Sequence, residues 1–145
     1  MGYLAVVRLL LEAGADQDAA EEEGWTALHY ASGNLHLEVV RELLAAKAHM
    51  DAGTQEGWRP LHLASYFGRR PVVEELLSAG ADKDAATGRG QTALHMACEN
   101  GCLEVVRELL AAGADMDATT NRGLTAWKLA DLMGPQDVIQ FLDCC

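Results

Sequence analysis

Histidine returns at a fixed interval in this chain, at His29, His62 and His95, with Lys128 at the next step. An imidazole can hold a metal or move a proton. Here each ring sits in nearly the same eight residues (GWTALHYA, GWRPLHLA, GQTALHMA, GLTAWKLA), starting at Gly24, Gly57, Gly90 and Gly123, 33 residues apart. Residues one repeat apart do not converge on one ion. Cys98 and Cys102 lie four apart across Gly101, and Cys144 and Cys145 are adjacent. Zinc needs about four converging ligands, and no second pair has a finger-like spacing, so free thiols are expected. GRGQTA from Gly88 fits the dinucleotide pattern G-x-G-x-x-A. The segment ahead of it is DKDAAT rather than an apolar strand. DKDAATG and DQDAAEE resemble the start of a calcium loop, but alanine occupies the fifth position (Ala86, Ala20) and the twelfth (Ala93, Ala27), where oxygen ligands are required. No nucleophile, base and acid set appears. The expectation is no enzyme, no catalytic residue, no metal and no cofactor.

With 145 residues, half of them apolar, the chain can bury one core. A net charge of -11 argues against nucleic acid, whose phosphates need a basic surface, and suits a basic partner. No apolar run reaches the ~18 residues of a membrane span. No basic, apolar leader precedes a small-residue cleavage site, and no N-x-S/T site occurs. Four cysteines in a chain of this size do not form a disulfide framework. These features point to the cytosol or nucleus.

A second phrase carries the same period: YLAVVRLLLEAGAD from Tyr3, HLEVVRELLAAKAH from His36, RRPVVEELLSAGAD from Arg69 and CLEVVRELLAAGAD from Cys102. Leu37, Val40 and Leu44, with Val39 and Leu43 beside them, fall at helical spacing. This predicts an amphipathic helix of about eleven residues, stopped by Gly14, Gly80 or Gly113. The first phrase predicts a shorter helix, begun at Thr26, Thr92 and Thr125, or at Pro60, whose missing N–H costs nothing in a first turn. About ten polar, glycine-containing residues between them, such as DAATGRG, read as a turn or hairpin. One helix pair cannot bury its stripe alone, but stacked pairs bury it against neighbours.

The 33-residue period, the TALH-type starts, LEVVRELL and AGAD together closely resemble the ankyrin repeat, over essentially the whole chain. The resemblance implies an all-α solenoid of stacked helix-turn-helix units with projecting hairpin loops. It places a partial repeat at 1–17 with only its long helix, repeats at 18–50, 51–83 and 84–116, and a C-terminal capping repeat at 117–145. In the last unit Asp131, Gln136 and Asp143 replace apolar or small residues, as a capping repeat requires. The N-terminus looks cut, leaving an apolar stripe of Leu4, Val7 and Leu11, with Val6 and Leu10, open to self-association or fraying. The family's histidines hydrogen-bond backbone between units, so a structural role is implied for His29, His62 and His95. The asparagine hydroxylated in many ankyrin units is replaced here by Asp18, Asp51, Asp84 and Asp117, against that modification. Leu35 and Lys47 stand where other copies have glycine, Gly134 among them.

The family's usual work is binding other proteins on a concave face made of hairpin tips and short-helix ends. Carried over residue by residue, that surface holds Trp25, Trp58, Tyr66 and Phe67, four of the eight aromatic residues. Outward aromatics anchor interfaces, and one exposed patch is expected, rimmed by Glu22, Glu23 and Glu56. Gln91, Leu124 and Met133 belong to the same surface further along. The implied function is a protein or peptide interaction module. Two other readings stay open: a scaffold that forms dimers or filaments through the uncapped first helix, and an engineered binder of this architecture.

Overall fold

The repeated phrases fold as two kinds of helix in the computed structural model, which describes residues 2–133 and 136–145. In chain order the helices are α1 (Gly2–Glu12), α2 (Ala27–Gly33), α3 (Leu37–Ala45), α4 (Pro60–Tyr66), α5 (Arg70–Ser78), α6 (Ala93–Glu99), α7 (Leu103–Ala111), α8 (Ala126–Met133) and α9 (Gln136–Asp143). Thr26 and Thr92 are the N-caps of α2 and α6, and Pro60 opens α4. Among the described residues the only β pairing is an isolated bridge between Ala20 and Thr26.

The helices α2, α4, α6 and α8 stack on one another, and α1, α3, α5, α7 and α9 form a second layer behind them. The core lies between the layers, where Val40, Leu43, Val73, Leu76, Val106 and Leu109 are buried against Leu28, Leu61 and Leu94. No single pair encloses these side chains, so each unit is completed by its neighbours.

Cross-unit hydrogen bonds set the register. Backbone N–H donates to Nδ1 of each histidine, from Thr26 to His29 at 3.1 Å, Arg59 to His62 at 2.9 Å and Thr92 to His95 at 3.1 Å. Nδ1 is therefore the acceptor and Nε2–H the donor. Nε2 reaches the next unit's carbonyls, Trp58 O at 3.0 Å, Ala85 O at 2.8 Å and Leu124 O at 3.1 Å. The hairpin loops are tied edge to edge as well. Gln55 N donates to Glu23 O, Gly88 N to Glu56 O and Asn121 N to Arg89 O, all within 3.0 Å.

The aspartates at the asparagine position accept backbone N–H from the next loop along the stack: Asp18 from His49 at 2.6 Å, Asp51 from Asp82 at 3.0 Å, Asp84 from Asp115 at 2.8 Å. A carboxylate oxygen serves there as an amide oxygen would. On the long-helix layer Arg8 donates to Glu42 and Arg41 to Glu75. At the next step the arginine position is Glu74, and Arg70, one turn earlier, reaches Glu108 instead. These pairs are exposed, and each contributes little.

Leu35 and Lys47 have positive φ, 61° and 63°, in the left-handed range that Gly68, Gly101, Gly14, Gly80 and Gly113 occupy at matching positions. The matching Gly134 lies outside the described residues. A side chain in this conformation costs about 1–2 kcal/mol, and glycine's freedom in the unfolded chain offsets roughly half. Leu35→Gly and Lys47→Gly should each raise the unfolding midpoint by about 2–4 °C. A thermal melt of each variant is the check, and no gain in either would overturn this account.

At the first helix the apolar stripe divides. Leu4, Val7 and Leu11 are half-buried on the side of α3, while Val6 and Leu10 face solvent along with Tyr3 and Leu9. Leu10 is 53% exposed and its counterpart Leu43 is 2% exposed. The difference is α2, which covers α3 and has no equivalent over α1 among the described residues. At the other end Asp131, Gln136 and Asp143 are exposed, and Asp143 accepts the indole N–H of Trp127 at 2.9 Å.

Candidate functional site

Hairpin tips and short-helix ends form one continuous surface, because each hairpin returns directly into the next short helix. Two register positions eight residues apart face each other across it, and their occupants change from unit to unit. Trp58 meets Tyr66 edge-on, with ring centroids 5.9 Å apart. Gln91 donates to Glu99 at 3.0 Å. Leu124 and Leu132 line a common hollow.

In the second unit the couple is Trp25 and Gly33. With no side chain at Gly33 to meet it, Trp25 turns to Tyr30, centroid to centroid 5.7 Å. The space at Gly33 is used by Phe67, whose ring would lie 3.7 Å from a Cβ built there. Tyr66 and Phe67 pack edge-on at 5.0 Å, and Arg69 holds the position, donating to Gly33 O at 3.0 Å with its guanidinium 5.8 Å from the Phe67 ring.

The expected patch of four rings is therefore redrawn. Trp58, Tyr66 and Phe67 form a connected cluster, 40% exposed at Tyr66 and 50% at Phe67. Trp25 stands apart with Tyr30, because a glycine occupies its partner position. Trp25 and Trp58 are half-buried, each ring also set edge-on to the histidine of its own unit, at 5.6 and 6.4 Å. Glu22, Glu23 and Glu56 are exposed at the hairpin tips. Their carbonyls are committed to the neighbouring hairpin, which leaves the carboxylates facing outward.

Tyr30 went unrecognised in the sequence. It occupies the register of Leu63, Met96 and Leu129, all buried, yet is 49% exposed. Leu63 packs towards Gly33 of the preceding short helix, and among the described residues α2 has no short helix on that side. Its hydroxyl donates to Glu21 at 2.7 Å, and that bond raises the phenol's pKa. An aromatic residue with a polar head at an otherwise aliphatic position was the available signal.

Two hollows open on this surface. The smaller, about 210 Å3, has Glu56, Trp58 and Arg89 in its wall. The larger, about 640 Å3, takes in Gln91, Leu124 and Met133 and includes Arg89 again. The remaining chemical groups are held elsewhere. Burial pushes the pKa of His29, His62 and His95 down, and each ring already uses both nitrogens. Burial pushes the Cys98 thiol up to about 12 and raises that of Cys102, which leaves both poor nucleophiles.

Residues 1–87 match the family model for ankyrin repeats in three copies, and residues 76–130 match a second one for ankyrin repeats in many copies. This chain belongs to the ankyrin-repeat family. Ankyrin repeats generally act as protein–protein interaction modules and are typically non-catalytic. No curated protein matches this ankyrin-repeat chain in sequence. No described helix is long and apolar enough to cross a membrane.

Proposed function

We propose that this ankyrin-repeat protein binds another protein or peptide on the concave face formed by its hairpin tips and short helices, with Trp58, Tyr66 and Phe67 as the anchor. The observation that carries the reading is the exposure of Tyr66 and Phe67 in a three-ring cluster held by Arg69. An outward aromatic cluster adds little to folding and is the usual centre of an interface. Trp25 and Tyr30 extend it along the second unit. Glu22, Glu23 and Glu56 steer the basic part of a partner by complementary charge. The four free cysteines support work in a reducing compartment, the cytosol or nucleus.

Affinity capture with the wild-type chain, repeated with Trp58→Ala and Phe67→Ala, tests this. Each substitution should cost at least about 2 kcal/mol of affinity, roughly 30-fold. Phe67→Ala should leave melting nearly unchanged. The reading fails if Trp58→Ala captures the same proteins as strongly while melting much earlier, because Trp58 would then be a packing residue only.

A second reading is self-association through α1, supported by the solvent-facing Val6, Leu9 and Leu10. Each buried square ångström of apolar surface is worth about 25 cal/mol. Sedimentation against concentration should show dimers or larger species, and Leu10→Lys should abolish them. A strict monomer at high concentration, with slow amide exchange in α1, would remove this reading.

A further inference from the structure

The larger hollow has a composition unlike the rest of this acidic surface. Leu124, Leu129, Leu132 and Met133 give it an apolar stretch of wall, and two arginines, Arg89 and Arg122, line it among its polar residues. Both arginines are exposed. The ion pairs among the described residues use Arg8, Arg41, Arg59, Arg70, Lys83, Arg107 and Lys128, but neither Arg89 nor Arg122. The carboxylate in the wall, Glu99, is engaged by the Gln91 amide at 3.0 Å. The hairpin carrying Arg89 is tied to that carrying Arg122: Asn121 N donates to Arg89 O, and its side chain to Gly88 O at 2.9 Å. The two arginines are thus borne on hairpins tied to each other, beside the apolar stretch of the wall.

We infer that this hollow receives an apolar side chain of a partner segment whose neighbours are carboxylates, with those carboxylates paired to Arg89 and Arg122. This rests on the reading that the same face binds protein, and it names the chemistry of one end of the ligand. A volume of about 640 Å3 accommodates a large aliphatic or aromatic residue and its flanks. Charge complementarity selects the segment. On a chain of net charge -11 an acidic peptide is repelled over most of the surface. Of the cations outside the ion pairs, Arg69 is turned to Gly33 O and Lys47 stands alone, whereas Arg89 and Arg122 line one hollow together and offer such a peptide a place to dock. Arginine suits the task because its fork matches a carboxylate in two parallel hydrogen bonds. Arg89 also lines the small hollow beside Glu56 and Trp58, so the two sites adjoin. The ligand is consequently polarised. Its acidic-apolar part lies over the fourth and last units, and its basic part lies towards Glu56, Glu22 and Glu23. That order fixes the direction in which it binds.

A random peptide library of about twelve residues displayed on phage, selected against the immobilised full chain, lets the surface choose its own probe. The expected enrichment is Asp or Glu next to Leu, Ile, Met, Phe or Trp. Synthetic copies of the enriched peptides should lose at least tenfold in affinity on the Arg89→Glu, Arg122→Glu double variant and on Leu132→Asp. Their salt dependence should flatten in the double variant, while its melting stays unchanged. No enrichment, enrichment only of peptides without acidic residues, or acidic peptides that bind the double variant normally would each overturn the inference. The Trp58→Ala and Phe67→Ala variants separate the two claims. Peptides lost on those but kept by the double variant leave the aromatic-anchored reading standing without this hollow. Peptides kept by all variants remove both.

Discussion

His62→Ala should destabilise the protein by about 3 kcal/mol, more than any exposed substitution considered above. The ring is buried and does two jobs at once. Nδ1 accepts the Arg59 N–H at 2.9 Å and Nε2–H donates to Ala85 O at 2.8 Å. Alanine leaves a part-buried donor and a buried acceptor without partners, at about 1–3 kcal/mol each, and opens a cavity beside the Trp58 ring. Water entering that cavity offsets part of the loss. The damage should also spread beyond one unit, because Ala85 belongs to the loop between the α4/α5 and α6/α7 pairs. Chemical unfolding of a stacked-repeat protein should then show a broader or split transition. His62→Gln, which keeps an acceptor and a donor on one side chain, should recover part of the midpoint. An alanine variant as stable as wild type would mean that the cross-unit bonds contribute nothing to cohesion.

Stability should fall steeply as the pH drops from 7 towards 5. Desolvation is the first cause lowering the pKa of His29, His62 and His95, opposed by the backbone carbonyls that their Nε2–H groups face. The sign follows from the neutral form being the one that folds. Above the ordinary histidine value near 6.5 both states are neutral and the full stability is present. Below it the unfolded chain takes up protons that the folded chain refuses, so the unfolded state gains with every further drop. Each such proton adds at most about 1.4 kcal/mol per pH unit to the slope, and three rings act in the same direction. Protonation at Nδ1 would also put N–H opposite the backbone N–H already donating there. Melting curves across this window, with imidazole signals followed by NMR, measure the effect. A midpoint flat from pH 7 to 5, or three rings titrating near 6.5 in the folded protein, would refute it.

The repeat is legible in the sequence itself, and for a physical reason. In a stacked fold the same local environment recurs every 33 residues, so the chain restates its own solution. Thr26 and Thr92 as caps, Pro60 in a first turn and the left-handed positions at Leu35 and Lys47 follow from local backbone chemistry, which a sequence carries directly. The histidines are also local on one side, since Nδ1 meets a backbone N–H three residues earlier. Their other bond is not. That Nε2 of His62 ends on Ala85 O depends on how two units pack.

The binding surface was legible only as a set of positions. Repeat register placed Trp25 and Trp58 as equivalents, but what each ring touches depends on the residue eight further along and on the next unit. Tyr66 keeps Trp58 in a cluster, whereas Gly33 releases Trp25 to Tyr30 and admits Phe67 from the neighbouring unit. Likewise Arg89, Arg122, Leu132 and Met133 are scattered along the chain and become one basic-edged hollow when α6 and α8 pack together. Periodicity and backbone preference belong to short stretches of sequence and determined the architecture. The shape and charge of the surface arise between units, and only their packing decided them.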